Sequence, residues 1–295
     1  MTKNLLFYSK FYLTLKQKST IIEVGIYPFY LSEEIMNIGI STGCLYPMLT
    51  EDCLQVLCEL GFRSFEIFFN TFSELETPYL DKLLAMLNPC GAKVKSIHPF
   101  TSGFESFLLF SNYERRFWDG VRMYEMYFRT ANYIGAEKVV LHGLNTTYTS
   151  SMTDSEYFRR FRILQETAAR YNVQLLQENV NLFCSNSIPF IEKMIAEIPR
   201  SAGFVCDVKQ AKRGGMQPTD MVRAMGNYLK HIHINDFSAD NQCVLPGKGC
   251  FDFQEFFDAV KRTGFDGDVM IEVYRSSFDK IQELIHAQQF LQQFC

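Results

Sequence analysis

From Met36 onward the chain alternates between two hydrophobic periods. Short apolar runs, too brief for a stable helix, are separated by longer stretches in which apolar residues recur every three or four positions. This rhythm predicts strands over residues 37–41, 64–69, 93–98, 138–142, 173–178, 203–207, 231–235 and 268–273. Between them it predicts helices that include 51–60, 114–134, 155–171 and 253–263. Gly61, Gly91, Gly135 and Gly264 stand where a helix hands over to the next strand, a place that favours glycine because a positive φ costs it nothing. Asp154, ahead of Ser155 and Glu156, is expected to cap a helix start. Strand then helix, eight times over, fits a single (β/α)8 TIM barrel of the α/β class better than two doubly wound domains. No G-x-G-x-x-G turn follows the first strand and no Pro/Ser/Gly-rich linker divides the chain, so residues 36–295 are expected to form one domain.

Residues 1–35 differ from the rest. Lys3, Lys10, Lys16 and Lys18 come before the first acid, Glu23. The apolar pieces Leu5–Tyr8 and Ile21-Ile22 are shorter than the ~7–15 residues a secretory signal needs. The segment reads as a peripheral N-terminal extension, through start-codon choice or as an ordinary terminal helix packed on the body. The whole chain of 295 residues is 47% hydrophobic and 21% charged, with no apolar run long enough to span a bilayer. That excludes disorder, a collagen-like chain and an integral membrane protein. A balance of 29 Lys+Arg against 33 Asp+Glu lacks the basic footprint of a nucleic-acid binder. Nine cysteines without a C-x-x-C pair read as reduced thiols, and hence as a cytoplasmic protein.

Barrel enzymes build their sites from the C-terminal ends of the strands. Here those ends carry His98, His142, Glu178, Asp207, the run His231-Ile-His233-Ile-Asn-Asp236, and Glu272. Four of the five histidines are therefore at strand ends. One such residue alone is usually structural. Several carboxylates converging on one mouth repel each other unless a cation neutralises them. Glu178, Asp207, His233 and Glu272 offer three carboxylates and an imidazole, a set suited to one divalent ion: Mn²⁺, Mg²⁺, Co²⁺ or Zn²⁺. His231 lies on the same face as His233 and is either a second ligand or a pocket residue.

The run Cys206-Asp207, His231 to Asp236, Leu245-Pro-Gly-Lys-Gly249-Cys-Phe-Asp-Phe253 and Gly264-Phe-Asp-Gly267-Asp-Val-Met-Ile-Glu272 resembles the sugar phosphate isomerase/epimerase family. That family has xylose isomerase-like barrels and is related to the type-IV apurinic endonucleases. The resemblance implies a metal on Glu178, Asp207, His233 and Glu272, with Glu178 and Glu272 as the acid/base pair. It also places His98 and His142 where the nucleases hold another zinc bridged by Glu178; the other reading is that both histidines line the pocket and bind substrate hydroxyls. Two departures stand out. Gln210 occupies the place of the D-x-x-H histidine that ketose 3-epimerases use to hold substrate, and Asn241-Gln242-Cys243 lacks the D-x-H that completes a third zinc site.

The expected activity is isomerisation or epimerisation of a small sugar, sugar phosphate or polyol ketone by proton abstraction beside a carbonyl. The alternative is a lyase resembling inosose or dehydroshikimate dehydratases, which starts from the same proton abstraction. A phosphodiester hydrolase and a non-catalytic sugar-binding barrel rank behind these. The implied partner is a small carbohydrate, not nucleic acid or membrane, with homo-oligomerisation left open. Gln210 and Arg275 are candidate substrate contacts, Arg275 for an anionic group. Gly247-Lys248-Gly249 offers a second, weaker anion site. Gln177, Asn179 and Tyr274 are candidates to support the acid/base pair, and Lys209 points either out of the mouth or into it. The aromatic segment from Phe100 to Phe110 is expected to fold across the mouth or contact another subunit, and Trp118 to pack in the core or an interface.

Overall fold

The computed structural model describes residues 36–148 and 151–295. The extension expected over residues 1–35 lies outside the described residues. Eight parallel strands close on themselves in chain order, β1 pairing with both β2 and β8. They are β1 (Ile38–Ser41), β2 (Ser64–Phe68), β3 (Lys93–His98), β4 (Lys138–Leu141), β5 (Gln174–Glu178), β6 (Phe204–Asp207), β7 (Leu229–Ile234) and β8 (Asp268–Ile271). The main helices are α1 (Thr50–Glu59), α2 (Thr77–Leu87), α3 (Glu114–Tyr133), α4 (Asp154–Ala169), α5 (Ile188–Glu197), α6 (Pro218–Met225), α7 (Phe253–Arg262) and α8 (Glu283–Leu291). Every predicted strand is present, and β7 begins two residues earlier than its apolar run suggested. No helix among the described residues is long and apolar enough to cross a membrane.

The strands have two faces. Ile232 and Ile234 of β7 turn outward into the layer beneath the helices, where both are fully buried, while His231 and His233 turn into the barrel. Inside, Val140, Leu176 and Val205 make a small apolar plug on adjacent strands. The other half of the interior is polar: Glu66, Ser96 and His231 share hydrogen bonds. At the opposite end Asp268 takes Lys138 at 2.6 Å and Lys95 at 3.4 Å, balancing its buried charge. Two register shifts aim the inner face. The pairing of β2 with β3 skips Lys95, and that of β6 with β7 skips Lys230. A one-residue slip exchanges the faces of a strand, so these bulges set which side chains of β3 and β7 point inward at the mouth.

The glycine expectations hold: Gly61, Gly91, Gly135 and Gly264 all have positive φ. The cap expectation does not. Thr153 caps α4, its hydroxyl accepting from the Glu156 N–H at 3.3 Å, whereas Asp154 is the first helical residue and pairs with Lys193 at 2.7 Å. The hydroxyl wins because, one position earlier, it faces the free N–H groups of the first turn. Trp118 lies on the exposed side of α3, 43% exposed, beside Phe117. All nine cysteines are free thiols.

The segment after β3 is anchored by one carboxylate. Glu105 is fully buried; Tyr124 Oη donates to one of its oxygens and the Gly143 N–H to the other. Gly143 has φ +93°, and a Cβ there would meet Tyr157 Oη, so the residue after His142 must be glycine. Burial pushes the Glu105 carboxyl up to about 7. A carboxyl that holds its proton more tightly folded than unfolded stabilises the fold below the unfolded value, and this contribution is lost as pH rises through 7. Its size is roughly 3 kcal/mol, since each tenfold gain in proton affinity is worth about 1.4 kcal/mol. Urea unfolding at successive pH values should therefore show wild-type stability falling between pH 4.5 and 7 relative to Glu105→Gln. Parallel profiles for the two proteins would remove Glu105 from this role.

Candidate active site at the barrel mouth

Four residues from four strand ends meet at one spot. Glu178 ends β5, Asp207 ends β6, His233 lies near the end of β7 and Glu272 follows β8. His233 Nδ1 is 3.4 Å from Glu178 Oε1, 3.2 Å from Glu272 Oε2 and 3.8 Å from Asp207 Oδ2. One ligand atom from each of the four residues lies within 4.8 Å of all the others. Atoms that share one ion through bonds of ~2.1 Å sit roughly 3–4 Å apart, so the cluster needs only slight contraction to hold one. Asp207 Oδ2 is buried and makes no hydrogen bond among the described residues, its contacts in the cluster being the longer ion pairs to Lys209 and His233. Burial pushes the Asp207 carboxyl up to about 6 against the pull of Lys209. Burial would also raise Glu178, but the charge of His142 beside it holds that carboxyl well below the ordinary range. The donor set, oxygen-rich with one imidazole, fits a divalent cation.

Behind this cluster stands a residue that the strand-end pattern missed. Glu66, in the middle of β2 and fully buried, places Oε2 3.0 Å from His233 Nε2 and 3.1 Å from His231 Nε2. Ser96 Oγ donates to the same oxygen at 2.8 Å. A carboxylate that accepts a hydrogen bond from the Nε2–H of His233 keeps the proton on that nitrogen and, in the neutral ring, leaves the Nδ1 lone pair facing Glu178 and Glu272. The available signal was an acid inside the apolar run Phe65-Glu66-Ile67-Phe68, which has no reason to be there unless something buried needs it. His231 therefore sits one layer below the mouth, on Glu66.

His98 and His142 form a second cluster that shares Glu178. Their Nε2 atoms are 3.0 Å apart, and His142 Nε2 is 3.0 Å from Glu178 Oε2. His98 Nδ1 lies 3.2 Å from the Pro99 carbonyl, the contact that turns the His98 Nε2 lone pair toward the others. The ring of His98 stacks on Phe68 at 4.8 Å. Gln210 stands beside the cluster: its side-chain oxygen accepts from the Asn181 N–H at 3.1 Å, while its own backbone N–H donates to Asp207 Oδ1 at 2.8 Å and starts the short helix Val208–Arg213. Gln177 and Asn179 also serve the backbone. Gln177 donates to the His142 carbonyl at 2.9 Å, and Asn179 brackets Asp207 by accepting from its N–H at 2.7 Å and donating to its carbonyl at 3.0 Å.

Lys209 resolves inward. It is 4% exposed, its Nζ 3.2 Å from Glu272 Oε2 and 3.5 Å from Asp207 Oδ2, under the ring of Tyr274. Lys209 and Glu272 open onto a cavity of about 880 Å³ walled by Tyr46, Phe68, Phe100, Tyr274 and Arg275. From the aromatic segment, Phe100 thus reaches the mouth, Phe110 is buried against Tyr157, and Phe104 is 60% exposed. Arg275 lines the rim, one guanidinium nitrogen donating to the Phe278 carbonyl at 2.9 Å. The glycine loop is already filled. Asp236 accepts from the N–H groups of Phe237, Gly247, Gly249 and Phe251, so the chain's own carboxylate uses the donors that an anion would need.

Comparison with known proteins agrees with this geometry at the level of the fold. The 3-keto-D-glucoside 4-epimerase from E. coli superposes with a TM-score of 0.71 at 19% identity, covering 88% of this chain and 99% of that one. The probable 3-DHS dehydratase AsbF from Bacillus anthracis gives a TM-score of 0.68 at 17% identity, covering 87% and 97%. The IOLI protein with a bound zinc atom gives 0.69 at 18% identity, covering 88% and 96%. The family described as xylose isomerase-like TIM barrel matches residues 54–294. By that match, over most of its length, the chain belongs to the xylose isomerase-like TIM barrel family.

Proposed function

We propose that this protein is a divalent-metal-dependent isomerase or epimerase of a small sugar, sugar phosphate or related polyol ketone. The observation that carries the reading is the convergence of Glu178, Asp207, His233 and Glu272 on one spot, with Glu272 on the wall of the large cavity. Those four residues would hold the ion. Bound there, it would polarise a substrate carbonyl and its neighbouring hydroxyl, making the adjacent C–H acidic. Glu178 and Glu272 come from β5 and β8 and so approach a bound substrate from different sides of the mouth. One carboxylate takes the α-proton and the other returns one to the opposite face. His98 and His142 would bind substrate hydroxyls, with a second ion on His98, His142 and Glu178 as the other arrangement their 3.0 Å contact supports. Arg275, on the rim, suits an anionic substituent.

The reading is tested with Mn²⁺-loaded protein in D₂O, offered ketoses, 3-keto-glycosides, inososes and their phosphates. Proton NMR should show deuterium entering a product isomeric with the substrate. Loss of water would instead assign the site to elimination, and no exchange on any member would count against both. Glu178→Gln and Glu272→Gln should each lower exchange by at least ~100-fold, the scale of a lost general acid or base. A chelator should abolish it, and added Mn²⁺ should restore it.

Glu66 has its own measurement. Because it fixes the ring of His233, Glu66→Gln should weaken Mn²⁺ binding by about 10–100-fold, read by electron paramagnetic resonance titration on protein that keeps its circular dichroism spectrum. An unchanged Mn²⁺ affinity would show that His233 does not depend on Glu66.

A further inference from the structure

We propose that Lys209 is a catalytic residue that binds the substrate oxygen on which negative charge gathers as the α-proton leaves. The inference rests on the metal-dependent proton abstraction proposed above and assigns a group to that reaction's developing charge. Three observations lead to it. Lys209 is almost fully buried, and a buried ammonium is costly unless its environment uses the charge. It stands beside the proposed acid/base residue, with Nζ 3.2 Å from Glu272 Oε2, and with Glu272 it forms part of the cavity wall. Its ammonium has three donors, and its hydrogen bond is to Glu272, with Asp207 Oδ2 at 3.5 Å. A donor is left for a ligand in the cavity.

The neighbouring residue explains why the lysine takes this part. Gln210, where ketose 3-epimerases have a substrate-holding histidine, spends its side-chain oxygen on Asn181. Lys209 is the side chain of that strand-six turn that reaches the cavity. It is held in place by the ring of Tyr274, which its Nζ faces at 5.2 Å. In the step itself the C–H bond beside the carbonyl breaks and its proton passes to a glutamate carboxylate. The C–H electron pair becomes the new C=C bond, and the carbonyl π pair moves onto oxygen. That oxygen carries the full gain in charge, and an ammonium held on the cavity wall stabilises it through the donor that Glu272 does not use.

The alternative role is a counter-ion that only balances Asp207 and Glu272, and the two roles separate by binding. The probe is glycolohydroxamate, a small anionic mimic of the enediolate, titrated into Mn²⁺-loaded protein by calorimetry, with neutral dihydroxyacetone as the ground-state control. Lys209→Met should bind Mn²⁺ at least as tightly as wild type, because a competing cation is gone. It should also bind glycolohydroxamate about 100-fold more weakly, the scale of a lost oxyanion donor, with little change for dihydroxyacetone. Lys209→Arg, which keeps the charge, should recover part of the loss and guards against a folding defect in the methionine variant. If Lys209→Met tightens Mn²⁺ while leaving glycolohydroxamate affinity unchanged, Lys209 is a counter-ion and the proposal is overturned, with the metal-dependent reading intact. If wild type binds neither Mn²⁺ nor the hydroxamate, both fall together.

Discussion

The structure turns on the cost of burying like charges. Glu178, Asp207 and Glu272 are brought into one small volume at the barrel mouth, with Glu66 one layer below. Carboxylates at such separations in a low-dielectric interior cannot all stay ionised without cations among them. The chain supplies some compensation itself: Lys209 against Asp207 and Glu272, His142 against Glu178, and the rings of His231 and His233 against Glu66. It leaves Asp207 Oδ2 without a hydrogen bond among the described residues. Nothing in the fold requires acids there, since Val140, Leu176 and Val205 fill the same interior with apolar side chains, the last two on the very strands that end in Glu178 and Asp207. Under the proposed reading their presence is a demand of function on the barrel.

The scaffold meets that demand by geometry rather than by strong individual contacts. A closed parallel barrel offers eight strand ends around one axis, and each contributes through the parity of its last residues. The bulges at Lys95 and Lys230 set that parity on β3 and β7. Their own side chains turn to the far end of the barrel, Lys95 to Asp268 and Lys230 to Asp266. The backbone just past the strands is then pinned by side chains that never enter the cavity. Asn179 brackets Asp207, Gln177 holds the carbonyl of His142, Glu105 holds the N–H of Gly143, and Asp236 gathers four N–H groups of the loop after β7. Buried polar groups of this kind are costly to leave unpaired, so each fixes its neighbour within narrow limits.

This division explains what could be read from the sequence. The strands were legible because buried parallel strands appear as continuous apolar runs, and the helix ends because glycine at positive φ marks them. Glu178, Asp207, His233 and Glu272 were legible because each interrupts or ends such a run. Glu66 was overlooked since it sits inside its strand rather than at its end, and the direction of a side chain within a strand depends on a register that neighbouring strands decide. For the same reason the orientation of Lys209 could not be read: it lies in a turn, where no period applies. Asp236 illustrates the opposite error. The glycines of 247–249 look ready for an external anion, and only the folded loop shows a carboxylate from the preceding strand end already seated there.

Charge then constrains what the cavity can accept. At the proposed ion site, three carboxylates, the ammonium of Lys209 and one divalent ion balance, provided His233 stays neutral, as a ligand must. The tautomer of that neutral ring depends on Glu66: with the Nε2–H donated to that carboxylate, the lone pair is on Nδ1. Under the proposed reading such a balanced site would have no standing attraction for an anionic ground state, yet its ammonium and a bound ion would both favour charge that appears during reaction. Such an arrangement would favour the transition state over the substrate, which is the condition for a faster chemical step. It also separates the tasks along the cavity. On that reading affinity would come from the aromatic walls and Arg275 at the rim, while the inner cluster would be reserved for the proton.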